Sequence, residues 1–181
     1  MRQTVLRALF AGLPLVAAVM LVADDTPRVN IQDDCQPKTF NLAPPAGAGP
    51  GVCRLGFDGE TSFAQFIQQV IKNHKAEEWK FDDPPETVSA GTTLSLRNEG
   101  GETHSFTRTA NFGAGIVPPL NALLPPMMPA EGCFQPTTGA TFVPSGTKNQ
   151  IGPTFTAADK GKTIKFQCCI HPWMRAEIQV R

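Results

Sequence analysis

The sequence predicts an all-β sandwich that is preceded by one helix and interrupted by a long proline-rich loop. Apolar and polar residues alternate along residues 92–97 and 104–107, and again along residues 164–169 and 176–181. A period of two is the pattern of strands with one buried and one solvated face. The chain has 181 residues, of which 41% are hydrophobic, and this is enough for one globular core. These observations favour one domain built as a β-sandwich.

One helix is predicted between residues 61 and 78. Its apolar side chains recur at the spacing of one helical face: Phe63, Phe66, Ile67, Val70 and Ile71. Ser62 and Gln65 have the spacing of a capping box, so the helix should begin at Ser62 and run to about residue 76. Basic residues in the last turn suit the negative end of the helix dipole. His74, which lies among them, is expected at the surface rather than at a ligand position.

Residues 1–23 predict a secretory signal peptide. Two arginines precede an apolar run over residues 8–23, and two aspartates follow it, which is the order of regions in such a peptide. The run is short against the roughly 20 residues of a membrane-spanning helix, and no basic cluster follows it. We therefore expect a periplasmic or secreted protein with no membrane contact after signal removal. An uncleaved anchor is the alternative.

Charge argues against nucleic-acid binding. Outside residues 1–23 the chain has 14 basic and 16 acidic residues, a formal net charge of −2. Nucleic-acid-binding domains carry an excess of basic charge instead. No patch in the linear sequence identifies a protein partner.

Cysteine usage suits an oxidising compartment. The chain has five cysteines, and the odd number leaves at least one thiol outside any disulfide. Cys35 and Cys53 flank a proline- and glycine-rich stretch within residues 24–60, a segment that cannot supply a core by itself. We expect a disulfide between them, worth roughly 3 kcal/mol for a loop of this size. Two unpaired thiols are the alternative.

Residues 79–181 are predicted as the β domain, with an insertion over about 111–153. The insertion is rich in proline and glycine, so it is poorly suited to regular strands. It is longer than the usual structureless loop of roughly 12–15 residues, which suggests that it covers the domain, contacts a partner or is tethered by a disulfide. Met127 and Met128 are interpreted as apolar cover rather than as metal ligands.

Four donors form the candidate metal site. Cys168, His171 and Met174 lie close together in the sequence, and His104 is in an upstream strand-like segment. Two imidazoles and a thiolate with a weak axial thioether are the ligands of a blue-copper electron-transfer site. Each residue alone has a structural explanation, as a core histidine, a packing methionine or a disulfide cysteine. The four together favour copper.

Alternation along the last strands separates the two adjacent cysteines. Successive side chains of a strand point to opposite faces, so if Cys168 faces a metal, Cys169 faces away from it. Cys133 in the insertion is then the simplest disulfide partner for Cys169. That bond would hold the insertion against the strand that leads to the site.

The stretch F-Q-C-C-I-H-P-W-M-R resembles the copper-ligand loop of the cupredoxins. Within that family it is most similar to amicyanin and its plastocyanin and pseudoazurin relatives. Phe166, Cys168, His171, Pro172 and Met174 match the family pattern position by position.

An upstream stretch, L-S-L-R-N-E-G-G-E-T-H-S-F, resembles the strand, turn and first ligand of the same family. It places Asn98 in the turn and His104 on the metal. The resemblance implies a Greek-key β-sandwich, one type 1 copper per chain and single-electron exchange with redox partner proteins. It also implies that His171 lies on an exposed loop and is the electron port.

Two positions depart from the family pattern. Ser105 stands where many relatives carry the asparagine that ties the two ligand segments together, and serine has a shorter reach. Ile170 stands where amicyanin-like loops have proline, so its backbone N–H could donate to the sulfur of Cys168. Hydrogen bonds to that thiolate tune the reduction potential, most often upward.

Other functions are weighed against the same residues. The chain has three histidines, too few for the additional catalytic copper of an oxidase or nitrite reductase, so we expect no enzymatic activity. A binuclear copper centre needs two ligand cysteines that do not point apart, and a thioether is a poor zinc ligand. The alternatives that stay open are a copper-trafficking module and a metal-free cupredoxin-like interaction domain.

Overall fold

The computed structural model describes residues 26–135 and 141–181. The predicted signal peptide lies outside the described residues. The strands are β1 (Arg28–Gln32), β2 (Lys80–Asp82), β3 (Thr87–Val88), β4 (Thr93–Asn98), β5 (His104–Ser105), β6 (Thr107–Thr109), β7 (Phe142–Val143), β8 (Gln150–Thr154), β9 (Thr163–Gln167) and β10 (Arg175–Val180). The helices are α1 (Pro37–Phe40), α2 (Phe63–Asn73), α3 (Pro118–Asn121) and α4 (Glu131–Phe134), with a 3-10 turn at Ala157–Asp159. Within the described ranges, no helix has the length and apolar character needed to cross a membrane.

Two four-stranded sheets form the sandwich. Their strand orders are β2-β1-β4-β8 and β3-β10-β9-β6, and β5 pairs with β7 in a separate two-stranded sheet. Because β1 pairs with both β2 and β4, it is a central strand of the first sheet. The sheet therefore begins inside residues 24–60, ahead of the boundary at residue 79 that the sequence suggests. The pattern that marks β1 is the alternation of Val29 and Ile31, both fully buried, with polar residues.

One apolar core lies between the sheets. In β10, exposed and buried residues alternate from Arg175 to Val180, as predicted. Phe166 of β9 stacks on Phe106 with ring centroids 4.4 Å apart. Residues of the two sheets share a single cluster: Val29, Ile31, Leu94, Leu96, Ile164, Phe166, Ile178 and Val180. The predicted β-sandwich is confirmed.

Helix α2 begins where the capping box predicts but ends early. Ser62 and Gln65 exchange the two reciprocal hydrogen bonds of the box. His74 adopts a left-handed conformation with a φ of 57°, and this ends the helix at Asn73 rather than near residue 76. His74 is exposed, as predicted.

The insertion contains more regular structure than the sequence indicates. Helices α3 and α4 and strand β7 lie within residues 111–153, and β8 begins there and pairs with β4. The expectation that this segment is unsuited to strands was therefore wrong at its C-terminal end. Pro153 is tolerated in β8 because this strand lies at the edge of the sheet.

Both predicted disulfides are present. They join Cys35 to Cys53 and Cys133 to Cys169, and Cys168 is free and buried. Cys168 belongs to the main core, whereas Cys169 packs in a separate small cluster, so the two side chains part as the alternation predicts. The disulfide at Cys169 holds the insertion against the end of β9.

Candidate metal centre

Three of the predicted ligands meet at one buried point. His104 lies in β5, Cys168 directly follows β9, and His171 is in the loop that leads to β10. The Sγ atom of Cys168 is 3.9 Å from Nδ1 of His104 and 3.9 Å from Nδ1 of His171. The two Nδ1 atoms are 3.2 Å apart. In the described part of the chain, His104, Cys168 and His171 are the potential ligands that lie close enough together to hold one metal ion.

The triangle of donor atoms has the size of a metal site. A triangle with sides of 3.9, 3.9 and 3.2 Å has a circumscribed radius of about 2.1 Å. Metal–nitrogen bonds are about 2.0–2.1 Å long and metal–sulfur bonds about 2.3 Å, as measured for zinc. One thiolate and two imidazoles suit copper. The residues present therefore fit the metal that the sequence predicts.

Met174 closes the loop that carries the other two C-terminal donors. Its side chain is buried, its N–H donates to the carbonyl of His171, and its carbonyl accepts the N–H of Cys168. These two backbone bonds fold residues 168–174 into a tight turn between β9 and β10. The axial role of the Met174 thioether stays a prediction.

Two backbone groups donate to the thiolate. The N–H of Ser105 is 3.3 Å and that of His171 is 3.5 Å from Sγ of Cys168. The donor in the C-terminal loop is thus His171 and not Ile170, because the turn brings the N–H of the third residue after the cysteine onto the sulfur. Oγ of Ser105 accepts the N–H of Cys169 at 2.8 Å. Serine therefore ties the two ligand segments together in spite of its short reach.

Hydrogen bonds between the donors favour the thiolate form of Cys168. Burial raises the pKa of the Cys168 thiol, but hydrogen bonds with His104 and His171 lower it well below its usual value. Burial lowers the pKa of His104, but the hydrogen bonds to Asp33 and Cys168 raise it to about 10. A metal ion would replace the proton between these groups.

A carboxylate lies behind each imidazole. Nε2 of His104 is 2.8 Å from Oδ2 of Asp33, and both side chains are fully buried. Nε2 of His171 is 3.5 Å from Oε2 of Glu102, an oxygen that also accepts the indole N–H of Trp79. Neither acid is among the residues predicted for the site from the sequence. Glu102 stands two residues before His104, but nothing in the sequence connects Asp33 with the site.

His171 is not exposed, so the expectation of an exposed histidine port was wrong. Its exposed fraction is 2%. The rings of Phe66, Trp79 and Trp173 pack around its imidazole, with centroid distances of 6.2, 6.5 and 5.4 Å. Phe66 belongs to α2, which lies ahead of the predicted β domain and outside the resemblance, and Trp79 stands at the first residue of that domain.

Comparisons with known proteins give partial matches. No protein-family model matches the chain, and no curated protein matches it. One similar solved structure is a mutant of amicyanin in its Cu(I) form, 19% identical, with a TM-score of 0.34 and coverage of 56% of this chain and 73% of that one. A purple cupredoxin from Nitrosopumilus maritimus is 13% identical, with a TM-score of 0.37 and coverage of 59% and 86%.

At these TM-scores the superpositions carry no weight for function. The fold is assigned from the structure itself, since both ligand segments lie at one end of a confirmed β-sandwich. His104 enters from β5, and Cys168 and His171 come from the connection between β9 and β10. The chain is a two-sheet β-sandwich with a buried His–Cys–His donor cluster.

Proposed function

We propose that this protein is an exported type 1 copper protein that carries single electrons between redox partner proteins. One copper would be held by His104, Cys168, His171 and Met174. The observation that carries the proposal is the triangle of one sulfur and two nitrogen atoms with the size of a metal site. Bound copper supplies a reversible one-electron couple in such a donor set.

The protein's own residues hold the donor atoms still and keep water out. His104 and Cys168 have no exposed surface, and Met174 is 1% exposed. The bond from Cys169 to Ser105 fixes one ligand segment to the other. A site held in this way changes little when its charge changes, and this favours fast electron exchange.

Burial argues against a trafficking module. Handing over a metal ion needs a ligand that leaves or a solvent path for an incoming one, whereas both histidines and the cysteine are buried here. A metal-free interaction domain is also less well supported, because Cys168 takes part in neither disulfide and faces two imidazole nitrogens.

Trp173 is the proposed route for electrons because His171 is covered. Its ring lies against His171 and is partly exposed. It lines a surface depression together with side chains from the C-terminal cap of α2, the insertion and β10: His74, Leu124, Met127 and Arg175. A partner that docks there would reach the site through one aromatic ring.

Export is proposed from the predicted signal peptide at residues 1–23. Two disulfides support an oxidising location, since such bonds are rare in the cytosol.

The test is visible absorption and electron paramagnetic resonance after loading with Cu²⁺. We expect an intense blue absorption band from a copper–thiolate transition and a narrow copper hyperfine splitting. The Cys168→Ser variant should lose both, because serine offers no thiolate. His74→Ala is the matched control, since His74 is exposed and outside the cluster. A colourless or tetragonal copper in the wild-type protein would refute the proposal.

A further inference from the structure

The carboxylate of Asp33 makes four polar contacts at the site. Its Oδ1 atom accepts the N–H groups of Cys35 and Gly101, and its Oδ2 atom accepts the N–H of Glu102. The fourth contact is Nε2 of His104 at 2.8 Å. A carboxylate that accepts three backbone N–H groups is held ionised and fixed in place. The atom that it presents to His104 is therefore an acceptor.

An acceptor at Nε2 decides which ring nitrogen faces the sulfur. Because Oδ2 of Asp33 accepts, Nε2 of His104 carries hydrogen, and Nδ1 is left as the lone-pair donor on the side of Cys168. Metal-binding histidines are commonly oriented by a carboxylate in this way. Glu102 stands in the same relation to His171, but at 3.5 Å, and it shares its oxygen with Trp79. Its effect should be the weaker of the two.

We propose that Asp33 and Glu102 are the positioning residues of the metal site, each accepting the Nε2–H of one histidine so that both imidazoles present Nδ1 to the metal. This inference rests on the proposed copper function for the identity of the metal. It places the buried negative charge of Asp33 beside the ligands, because three backbone N–H groups hold that carboxylate ionised, whereas burial raises the pKa of Glu102. The charge of Asp33 favours Cu²⁺ over Cu⁺, so it acts against the upward effect of the two backbone donors to Cys168.

Nuclear magnetic resonance of the Zn²⁺-loaded protein tests the hydrogen positions without copper. We expect a slowly exchanging, downfield Nε2–H signal from His104, and a second from His171 that is less shifted. Asp33→Asn should move the His104 signal upfield and leave the other, and Glu102→Gln should do the reverse. The wild-type spectrum alone decides the point even if a variant fails to fold. An unprotonated Nε2 in either histidine would overturn the proposal.

Measurements of metal affinity and reduction potential test how Asp33 and Glu102 affect the bound metal. Loss of a carboxylate partner typically costs 10–100-fold in metal affinity, and we expect a loss in this range for Cu²⁺ in Asp33→Asn and a smaller one in Glu102→Gln. Cu⁺ should lose less, so the potential should rise. A tenfold difference between the two losses corresponds to about 59 mV for one electron.

Asp34→Asn is the matched control. Asp34 is the neighbouring acid, and it also accepts backbone N–H groups, but from Glu60 and Thr61 rather than near the histidines. If Asp33→Asn and Asp34→Asn have the same affinity and potential, Asp33 is merely structural and the proposal is wrong. If the wild-type protein forms no type 1 site, the proposed function fails, while the zinc-loaded spectrum still decides the roles of Asp33 and Glu102.

Discussion

The N-terminal region, residues 26–79, and the C-terminal region, residues 163–180, contribute different parts of this site. The C-terminal region supplies Cys168, His171 and Met174 from one connection between two strands. The N-terminal region supplies no donor to the cluster, yet Asp33, Phe66 and Trp79 lie behind or over its histidines. The difference teaches that three of the four predicted ligands come from one short connection, whereas His104 and the residues that enclose the donors come from distant parts of the chain.

Truncation of Trp79 should have the largest effect on stability. Trp79 is 1% exposed and packs on Phe40 and Phe66. Trp79→Ala should lower the free energy of unfolding by about 3–5 kcal/mol, the usual cost of removing a buried aromatic ring. Urea denaturation of the metal-free protein measures it. Trp173→Ala is the control, and because Trp173 is partly exposed its loss should be less than half as large. Equal losses would show that the N-terminal cover is not part of the core.

Removing each disulfide in turn tests the N-terminal and C-terminal regions separately. Cys35→Ala with Cys53→Ala, and Cys133→Ala with Cys169→Ala, should each lower the free energy of unfolding by about 3 kcal/mol. The copper spectrum should stay type 1 without the first bond, which touches no ligand. It should change without the second, because Cys169 is bonded to Cys168 along the chain. If the spectrum changed only in the Cys35 and Cys53 double variant, the first disulfide and not the second would be the one that supports the metal site.

A methyl group at Gly100 should disturb Asp33 directly. A Cβ atom there would lie 2.0 Å from Oδ2 of Asp33, so the carboxylate must move away from His104. We expect Gly100→Ala to cost about 1–3 kcal/mol of stability, as overpacked sites do, and to weaken metal binding. Gly91→Ala is the comparison, since Gly91 has a φ of 92° and open space around its Cα. It should lose stability through backbone strain and keep the metal affinity of the wild type.

The ion pair between Arg108 and Asp159 should have the smallest effect and should depend on pH. The hydrogen bond from Arg108 holds the pKa of Asp159 well below its usual value of 3.8, and Asp159 also accepts the N–H of Thr156. Since the folded-state pKa is lowered, the contribution is complete above pH 3.8 and is lost as the pH falls below it. Asp159→Ala should cost about 1 kcal/mol at pH 7, because it removes a partly exposed ion pair and a hydrogen-bond acceptor. Denaturation between pH 7 and pH 3 checks this, and a difference that grows toward acid would contradict it.

Elements with a strong local pattern could be predicted from the sequence. The alternation in β10 and the capping box at Ser62 both appear in the structure where they were expected. The end of α2 was missed because a left-handed residue at His74 carries no distinctive signal when it is not glycine. Strand β1 was missed because it is five residues long and stands next to a proline- and glycine-rich segment.

At the candidate site, too, some residues could be predicted from the sequence and others could not. His104, Cys168 and His171 were predicted and do meet, because few chemistries need two imidazoles and a thiolate. The carboxylates of Asp33 and Glu102 could not be predicted, because acidic residues are common and are usually solvated. Exposure of His171 was expected from the resemblance, and it was wrong because α2, which lies outside the resemblance, brings Phe66 against the imidazole.

The sequence by itself determined the donor atoms and the face on which they lie. Donor chemistry depends on residue type, and the period of two in a strand sends Cys168 and Cys169 to opposite sides whatever surrounds them. Only the tertiary structure decided that Asp33 would reach His104 at 2.8 Å and that Trp79 would cover His171. Those contacts join residues 71 and 92 positions apart in the sequence, so they exist only once the sheets have assembled and the segment that follows α2 has packed against the ligand loop.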